Sequence, residues 1–461
     1  MSQAACTDIA RSNIQKLFIV LEDAPGQIAY PTKEHFIAVA NDATASQSPA
    51  YVDSPEKLGT RDILERFKEA MPAATAKAAM VLRLRTLGEK PQGHDALVSL
   101  FGTSTIDQAP AFTLGAAFDS DTIIPLASMD DAAPLPPCGV ISVNGESIFY
   151  GGISEDGTEL LNCKRGFNGT TADAIADGTV GIYESIAYMQ TNCNPAFTVW
   201  LQTDHFLQAI TGATINEASI SLSNSGAVTF EFGSIQGMEM VLAGTTKVAS
   251  TAAIGATVVA VAEPKMYTEK AWLWNPTVGD NGGGADVGYK VTAVDEEAGT
   301  ITLDKQLVSA WPVDSVVAGF LPQDAKLIGE PLEGTDTTVL LDGMKGKFRS
   351  SNLTYNNNIT YLSDELGTRH PESYVENSRS IELSMNSYFR ASDAARFKEG
   401  LEGVSLPVRI GFGDTKAILD MPKVQQSMPT PNIEAPTVSL DSTGTVLGSG
   451  SGNNAIYLII S

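Results

Sequence analysis

Cysteine, histidine and positive charge are scarce in this chain of 461 residues: it has 4 Cys, 4 His, and 30 Lys and Arg against 54 Asp and Glu. Cys6, Cys138, Cys163 and Cys193 show no C-x-x-C spacing, which removes the common zinc and dithiol arrangements. They read as thiols of a chain that folds in a reducing compartment, though the spacing leaves one disulfide open. His35, His94, His205 and His370 share no helix or strand ligand spacing and read as surface or helix-end residues. The formal charge of −24 argues against nucleic-acid binding, which needs clustered Lys and Arg to release counterions. It suits a surface that must not hold nucleic acid, and equally an acidic protein that is merely soluble.

Long apolar runs are absent too. Nowhere do about 18 apolar residues follow one another, so no membrane-spanning helix is expected. The start, MSQAACTDIARSNIQKLFIV, lacks the basic and apolar regions of a signal peptide. H-E-x-x-H, G-x-S-x-G, a Walker loop and a strand–G-x-G-x-x-G–helix unit are all missing. Asp119 with Asp121, Asp130 with Asp131, and Asp280 with Asp286 offer oxygen ligands, but none reproduces a calcium loop, so solvated carboxylates are expected. "RGFNGTTADAIADGTV" (165–180) has the glycine content of a phosphate cradle without its Lys or its strand–loop–helix context. Trp272, Trp274 and Trp311 are read as the core of a small β module, with a sugar-binding groove as the alternative. No catalytic residue, cofactor or metal is expected.

What is present is alternation. In "ATINEASISLSNSGAVTFEFGSIQG" (213–237) Ala218, Ile220, Leu222, Val228, Phe230 and Phe232 fall on even numbers. Ser219, Ser221, Ser223, Thr229 and Glu231 fall on odd ones, and Asn224-Ser225-Gly226 supplies a turn. This predicts a β-hairpin with one buried and one wet face. "SIELSMNSYF" (380–389) repeats the pattern, with Ile381, Leu383, Met385 and Phe389 inward against Glu382, Ser384, Asn386 and Tyr388. Further strands are expected at 17–30, 78–86 (Met80, Leu82 and Leu84 inward, Arg83 and Arg85 outward), 197–203, 352–362, 406–412, 417–427 and 454–461. Helices are expected over 59–72 from Thr60 with Ile63, Leu64 and Phe67 on one face, over 94–102 ending at Gly102, and over 392–400 capped by Ser392.

Leu58-Gly59-Thr60-Arg61 recurs as Leu366-Gly367-Thr368-Arg369. Each copy precedes an alternating strand (78–86; 380–389), a short helix (Asp95-Ala96; Asp393-Ala394) and another strand, an order that points to an internal duplication. Two Gly-rich stretches, 138–185 and 253–322, read as small β inserts.

Three stretches resemble the tail tube proteins of long, non-contractile-tailed bacteriophages: the hairpin at 213–237, "NLTYNNNITYLSDELGTRHPESYVENSRSIELSMNSYF" (352–389), and "LPVRIGF…AILDMPKVQQS" (406–427). The insert "CGVISVNGESIFYGG…LLNCKRGFNGTTADAIADGTVGIY" also looks like a β segment of phage structural proteins. The resemblance implies a mainly β fold of two tail-tube-type β-sandwich or barrel domains, each with a short flanking helix. The first would take 1–137 and 186–250 and the second 323–461, with small β inserts at 138–185 and, facing outward, 253–322. It implies a non-enzymatic virion protein, made in the bacterial host cytoplasm, that self-assembles into stacked rings. Trimeric pseudo-hexameric rings fit a duplication, and hexameric rings are the alternative. DNA passes through the lumen without specific binding, other tail proteins meet the tube ends, and no membrane is involved. Ser219, Ser221, Ser223, Thr229, Glu231, Glu382, Ser384 and Asn386 would line that lumen, and the stretches 40–57 and 424–437 would reach a neighbouring ring. A glycan-binding fibre or adhesin using the Trp-bearing insert is the rival reading, and a two-carboxylate glycosidase a more distant one.

Overall fold

A computed structural model describes residues 15–56, 65–85, 89–105, 111–115, 122–128, 135–204, 206–284, 287–390, 393–413, 415–434, 437–448 and 454–461. Among these the chain is mainly β, as expected, with two α-helices. The frame begins with β1 (Gln15–Leu21), β2 (Thr44–Ser46), β3 (Tyr51–Asp53), β4 (Arg66–Lys68), β5 (Ala74–Val81), α1 (His94–Phe101), β6 (Phe197–Thr203), β7 (Phe206–Ser223), β8 (Thr229–Gly237) and β9 (Glu239–Ala243). It continues with β10 (Thr338–Leu341), β11 (Phe348–Asn356), β12 (Ile359–Leu362), β13 (Ser373–Glu376), β14 (Ser380–Tyr388), α2 (Ala394–Glu402), β15 (Ser405–Phe412), β16 (Ala417–Gln426), β17 (Thr430–Glu434), β18 (Thr437–Val446) and β19 (Tyr457–Ile460).

The two halves pair alike. In the first, β1–β6, β2–β5, β5–β8, β6–β7, β7–β8 and β7–β9 are antiparallel. In the second, β10–β15, β11–β14, β14–β18, β15–β16, β16–β18 and β16–β19 repeat those pairs in the same order. Between the second and third strands of this pattern each half carries a separate two-stranded hairpin, β3–β4 or β12–β13. The halves join where β7 pairs with β11, from Glu217 opposite Asn356 to Ser223 opposite Ser350.

β7 has 18 residues because it serves two sheets. Its first part pairs with β6 and β9, and its second with β8 and β11. Register shifts between Ile215 and Ser219 help it turn, as bulges do. Gly212 in the first part has φ +58, and a Cβ there would lie 2.5 Å from the Met238 sulfur, so a side chain is excluded both by conformation and by space. The result is a sandwich. One layer runs β2–β5–β8–β7–β11–β14–β18, ending on β17 and β16, and the facing strands include β1, β6, β15, β16 and β19. One core fills the space between them, with Ile220, Phe230 and Phe232 from the first half and Leu353, Leu383, Met385, Ile410 and Leu419 from the second. Each such side chain contributes about 1.5–3 kcal/mol by leaving water.

The inserts form separate sheets. Six strands between 246 and 319 pack on Phe18, Trp200, Leu207 and Val241 of the first half. Eight strands between 111 and 183 pack on Ile418 and Ile459 of the second. That second sheet takes in 111–114 and 123–128, upstream of the expected start at 138, because these strands pair with 180–183 and 159–161.

Several local expectations change. Residues 66–68 are strand β4, not helix, and Phe67 is exposed, while Thr60, Ile63 and Leu64 lie outside the described residues. Strand β5 spans 74–81, and its inward face is built from Ala74, Ala76, Ala78 and Met80. Phe389 lies past the end of β14 and is exposed, against the ring of Phe397, while Ser387 takes the last inward position. The stretches 40–57 and 424–437 are not plain loops, since they hold β2, β3 and β17. Cys138, Cys163 and Cys193 are free thiols.

Candidate functional site

The even–odd alternation read from Ala218 to Phe232 is present in the fold. Ala218, Ile220, Leu222, Val228, Phe230 and Phe232 are buried, and the turn at Asn224–Gly226 is closed by Gly226 at φ +81. Side chains on a strand alternate between faces, so Ser219, Ser221, Ser223, Thr229 and Glu231 stand on the other side. β11, β14 and β18 continue the pattern, and the register sets their outward residues in lateral rows.

One row runs Glu231, Ser219, Thr354, Glu382, Thr445 and Gln425 across β8, β7, β11, β14, β18 and β16. The next runs Thr229, Ser221, Asn352, Ser384 and Thr443. A third runs Ser223, Ser350, Asn386 and Asp441. All eight residues singled out in the sequence therefore stand on one face of one sheet. Ser219, Thr229 and Asn386 are half-buried among their neighbours, and the other five are exposed. The sequence reading did not reach Asn352, Thr354, Asp441, Thr443 or Thr445, which the cross-strand pairing adds.

The rows are tied laterally. Ser221 Oγ donates to Asn352 Oδ1 (2.9 Å), Asn386 Nδ2 donates to Asp441 Oδ1 (2.5 Å), and Asn41 Nδ2 reaches Glu231 Oε1 (3.4 Å). Opposed hydroxyl and amide pairs of this kind fix side-chain direction at a few tenths to 1 kcal/mol each. The three rows carry Glu231, Glu382 and Asp441 and no Lys or Arg. Such a face has no cation with which to displace the counterions condensed on DNA.

The other candidates resolve differently. Asp280 is not a solvated loop carboxylate: it is buried, and accepts from Gly282 N (3.0 Å), Tyr289 Oη (2.8 Å), Ser309 N (3.0 Å) and Trp311 Nε1 (2.9 Å). Burial works to raise its pKa, but these donors hold it below the usual carboxylate value. Both oxygens already have protein donors, and Asp286, Asp119, Asp121, Asp130 and Asp131 lie outside the described residues. The Gly-rich 165–180 loop does surround an anion, the carboxylate of Glu146. Arg165 Nε and Nη2 donate to it at 2.7 and 2.6 Å, and Gly166 N at 2.9 Å. Here too burial opposes ionisation and the Arg165 and Gly166 donors prevail, so the pKa falls.

Trp272 and Trp311 are buried in the core of the insert, and Trp274 is half-buried against Phe320. His94 opens α1, with Nδ1 2.8 Å from Tyr188 Oη. His35 Nε2 lies 3.6 Å from Asp95 Oδ2, and His205 is outside the described residues. Among the described residues no three His, Cys, Asp or Glu gather as metal ligands, and no helix is long and apolar enough to cross a membrane. No protein-family model matches the chain, and no curated protein matches it.

Proposed function

We propose that this chain is a structural protein of a phage tail tube, assembling three copies to a ring and rings into a stack around a channel for DNA. The observation that carries the proposal is the polar face, acidic and free of Lys and Arg in its three central rows, opposite a single core. The recurrence of six strand pairings supports a duplicated tube domain. Each half supplies four strands to the layer: β2, β5, β8 and β7, then β11, β14, β18 and the β16–β17 edge.

Three copies make a barrel of 24 strands. At about 4.8 Å between strands and a tilt near 40°, such a barrel is roughly 45–50 Å across its backbone. Subtracting side chains leaves a bore that admits a DNA duplex. Edge strands β2 and β17 stand at opposite ends of the layer, where pairing between copies closes the ring without capping it. The inserts, on the far side of the facing sheets, become outer decoration. Tube-end tail proteins are the remaining partners, and the virion is the location.

Electron microscopy of the purified protein tests this reading. Rings or tubes with a central hole are expected. A monodisperse monomer at every concentration examined would refute it.

A further inference from the structure

We infer that the β3–β4 hairpin is the arm by which one copy of this chain holds the next copy in the ring, gripping the corner made by β16 and the segment after it. This rests on the ring proposed above. It starts from a constant step in the sequence. Leu366 follows Leu58 by 308 positions (366 less 58). The same step carries Tyr51, Val52 and Asp53 onto Ile359, Thr360 and Tyr361, and Arg66, Phe67 and Lys68 onto Tyr374, Val375 and Glu376. The cross-strand pairs agree residue for residue: Tyr51–Lys68, Val52–Phe67 and Asp53–Arg66 correspond to Ile359–Glu376, Thr360–Val375 and Tyr361–Tyr374. The two hairpins are one device present twice.

The second is seated. β12–β13 lies on the first half, with Ile359 and Tyr361 buried against Met238. Tyr361 Oη donates within reach of Gly212 O (2.7 Å) and Gln236 O (2.8 Å) and lies 3.0 Å from Thr214 Oγ1. Ile359 N donates to Asn216 Oδ1 (2.7 Å). Among the described residues the first hairpin has no such seat: Tyr51, Val52 and Phe67 are 49, 47 and 50 % exposed. A two-stranded hairpin is marginal in water without something to pack on.

The seat is also present twice. Phe206 and Ala417 open β7 and β16, and each pairs with the last residue of the strand before it, Thr203 and Phe412 respectively in β6 and β15. Counting along from those starts sets Gly212, Thr214 and Asn216 against Lys423, Gln425 and Ser427. The register agrees: Thr214 faces Gln236 in β8, and Gln425 faces Thr445 in β18. Gly212 and Thr214 are buried and Asn216 half-buried under β12–β13, whereas Lys423, Gln425 and Ser427 are all exposed. Leu401 and Met428 beside them are 78 and 55 % exposed. An unseated hairpin and an unoccupied seat are thus repeats of a pair that is already joined inside the chain. The occupant is a second copy of this chain. In that seating Asp53, which pairs with Arg66 across its own hairpin (2.9 Å), takes the place of Tyr361 and also meets Lys423, a group of opposite charge.

The test uses the full chain with a photo-crosslinking phenylalanine analogue at position 51, irradiated after ring assembly and mapped by mass spectrometry. Cross-links between copies to residues 423–428 are expected. In parallel, D53K and K423D should each weaken oligomerisation about tenfold by analytical ultracentrifugation, and D53K/K423D should restore it. If the unaltered protein never oligomerises, the ring proposal itself fails. If it forms rings but position 51 links elsewhere, or the double variant shows no rescue, the hairpin assignment is overturned and the ring stands.

Discussion

Reversing charge on the polar face is the sharpest perturbation of the proposed channel wall. In E231K/E382K two carboxylates in one lateral row become ammonium groups, about 14 Å apart at three strand spacings. Both sites are exposed, and the one hydrogen bond at stake for Glu231 is the long one from Asn41, so the folded chain should lose no more than about 0.5 kcal/mol. The proposed ring of three would then present six lysines where six glutamates stood. If about four phosphates engage them, binding falls with salt at a slope near −3.6, roughly 150-fold between 50 and 200 mM. Co-sedimentation of assembled tubes with a short duplex reads this directly. Unaltered tubes should carry no DNA at either salt, and variant tubes should hold it at 50 mM and release it at 200 mM. Normal variant tubes that ignore DNA at 50 mM would refute the placement of this face in the bore.

Asp280→Asn should cost about 2–4 kcal/mol in urea unfolding followed by Trp fluorescence, because an amide cannot accept from all four donors. No change would mean that the carboxylate is not what orders the insert. Glu146 has a depressed pKa, so its contribution is complete above the ordinary value near 4.3 and is lost as pH falls through the lower folded value. Glu146→Gln should remove that acid-side dependence from a plot of stability against pH, and an unchanged slope would contradict the assignment. Gly212→Ala should lower stability by about 2–4 kcal/mol, and Gly226→Ala, at similar φ but in open space, by about 1 kcal/mol. Equal losses would show that the crowding at Met238 is unimportant.

Alternation made the layer legible. Strands 197–203 and 380–388 appear where they were expected, and the buried faces of β7 and β8 follow even numbers over 218–222 and 228–232 as read. The same reasoning put Met80, Leu82 and Leu84 inward, as found, but set β5 at 78–86 instead of 74–81, because the inward face of its first half is alanine, whose small apolar gain gives little periodic contrast. It misread 59–72 for a related reason: Phe67 sits on a hairpin whose described residues are exposed, so they carry no core pattern. Buried carboxylates were opaque as well. Asp280 and Glu146 owe their roles to donors up to 31 residues away, and spacing along the chain does not encode that. The outward residues of β11 and β18 became visible only through register, since no local feature marks Thr354 or Thr445 as neighbours of Glu382.

Cryo-electron microscopy of the assembled protein tests the central claim most directly. The account predicts three-fold rings with a 24-stranded inner barrel and Glu231 and Glu382 facing the bore. A particle in which those two residues face outward, or are buried between copies, would contradict it.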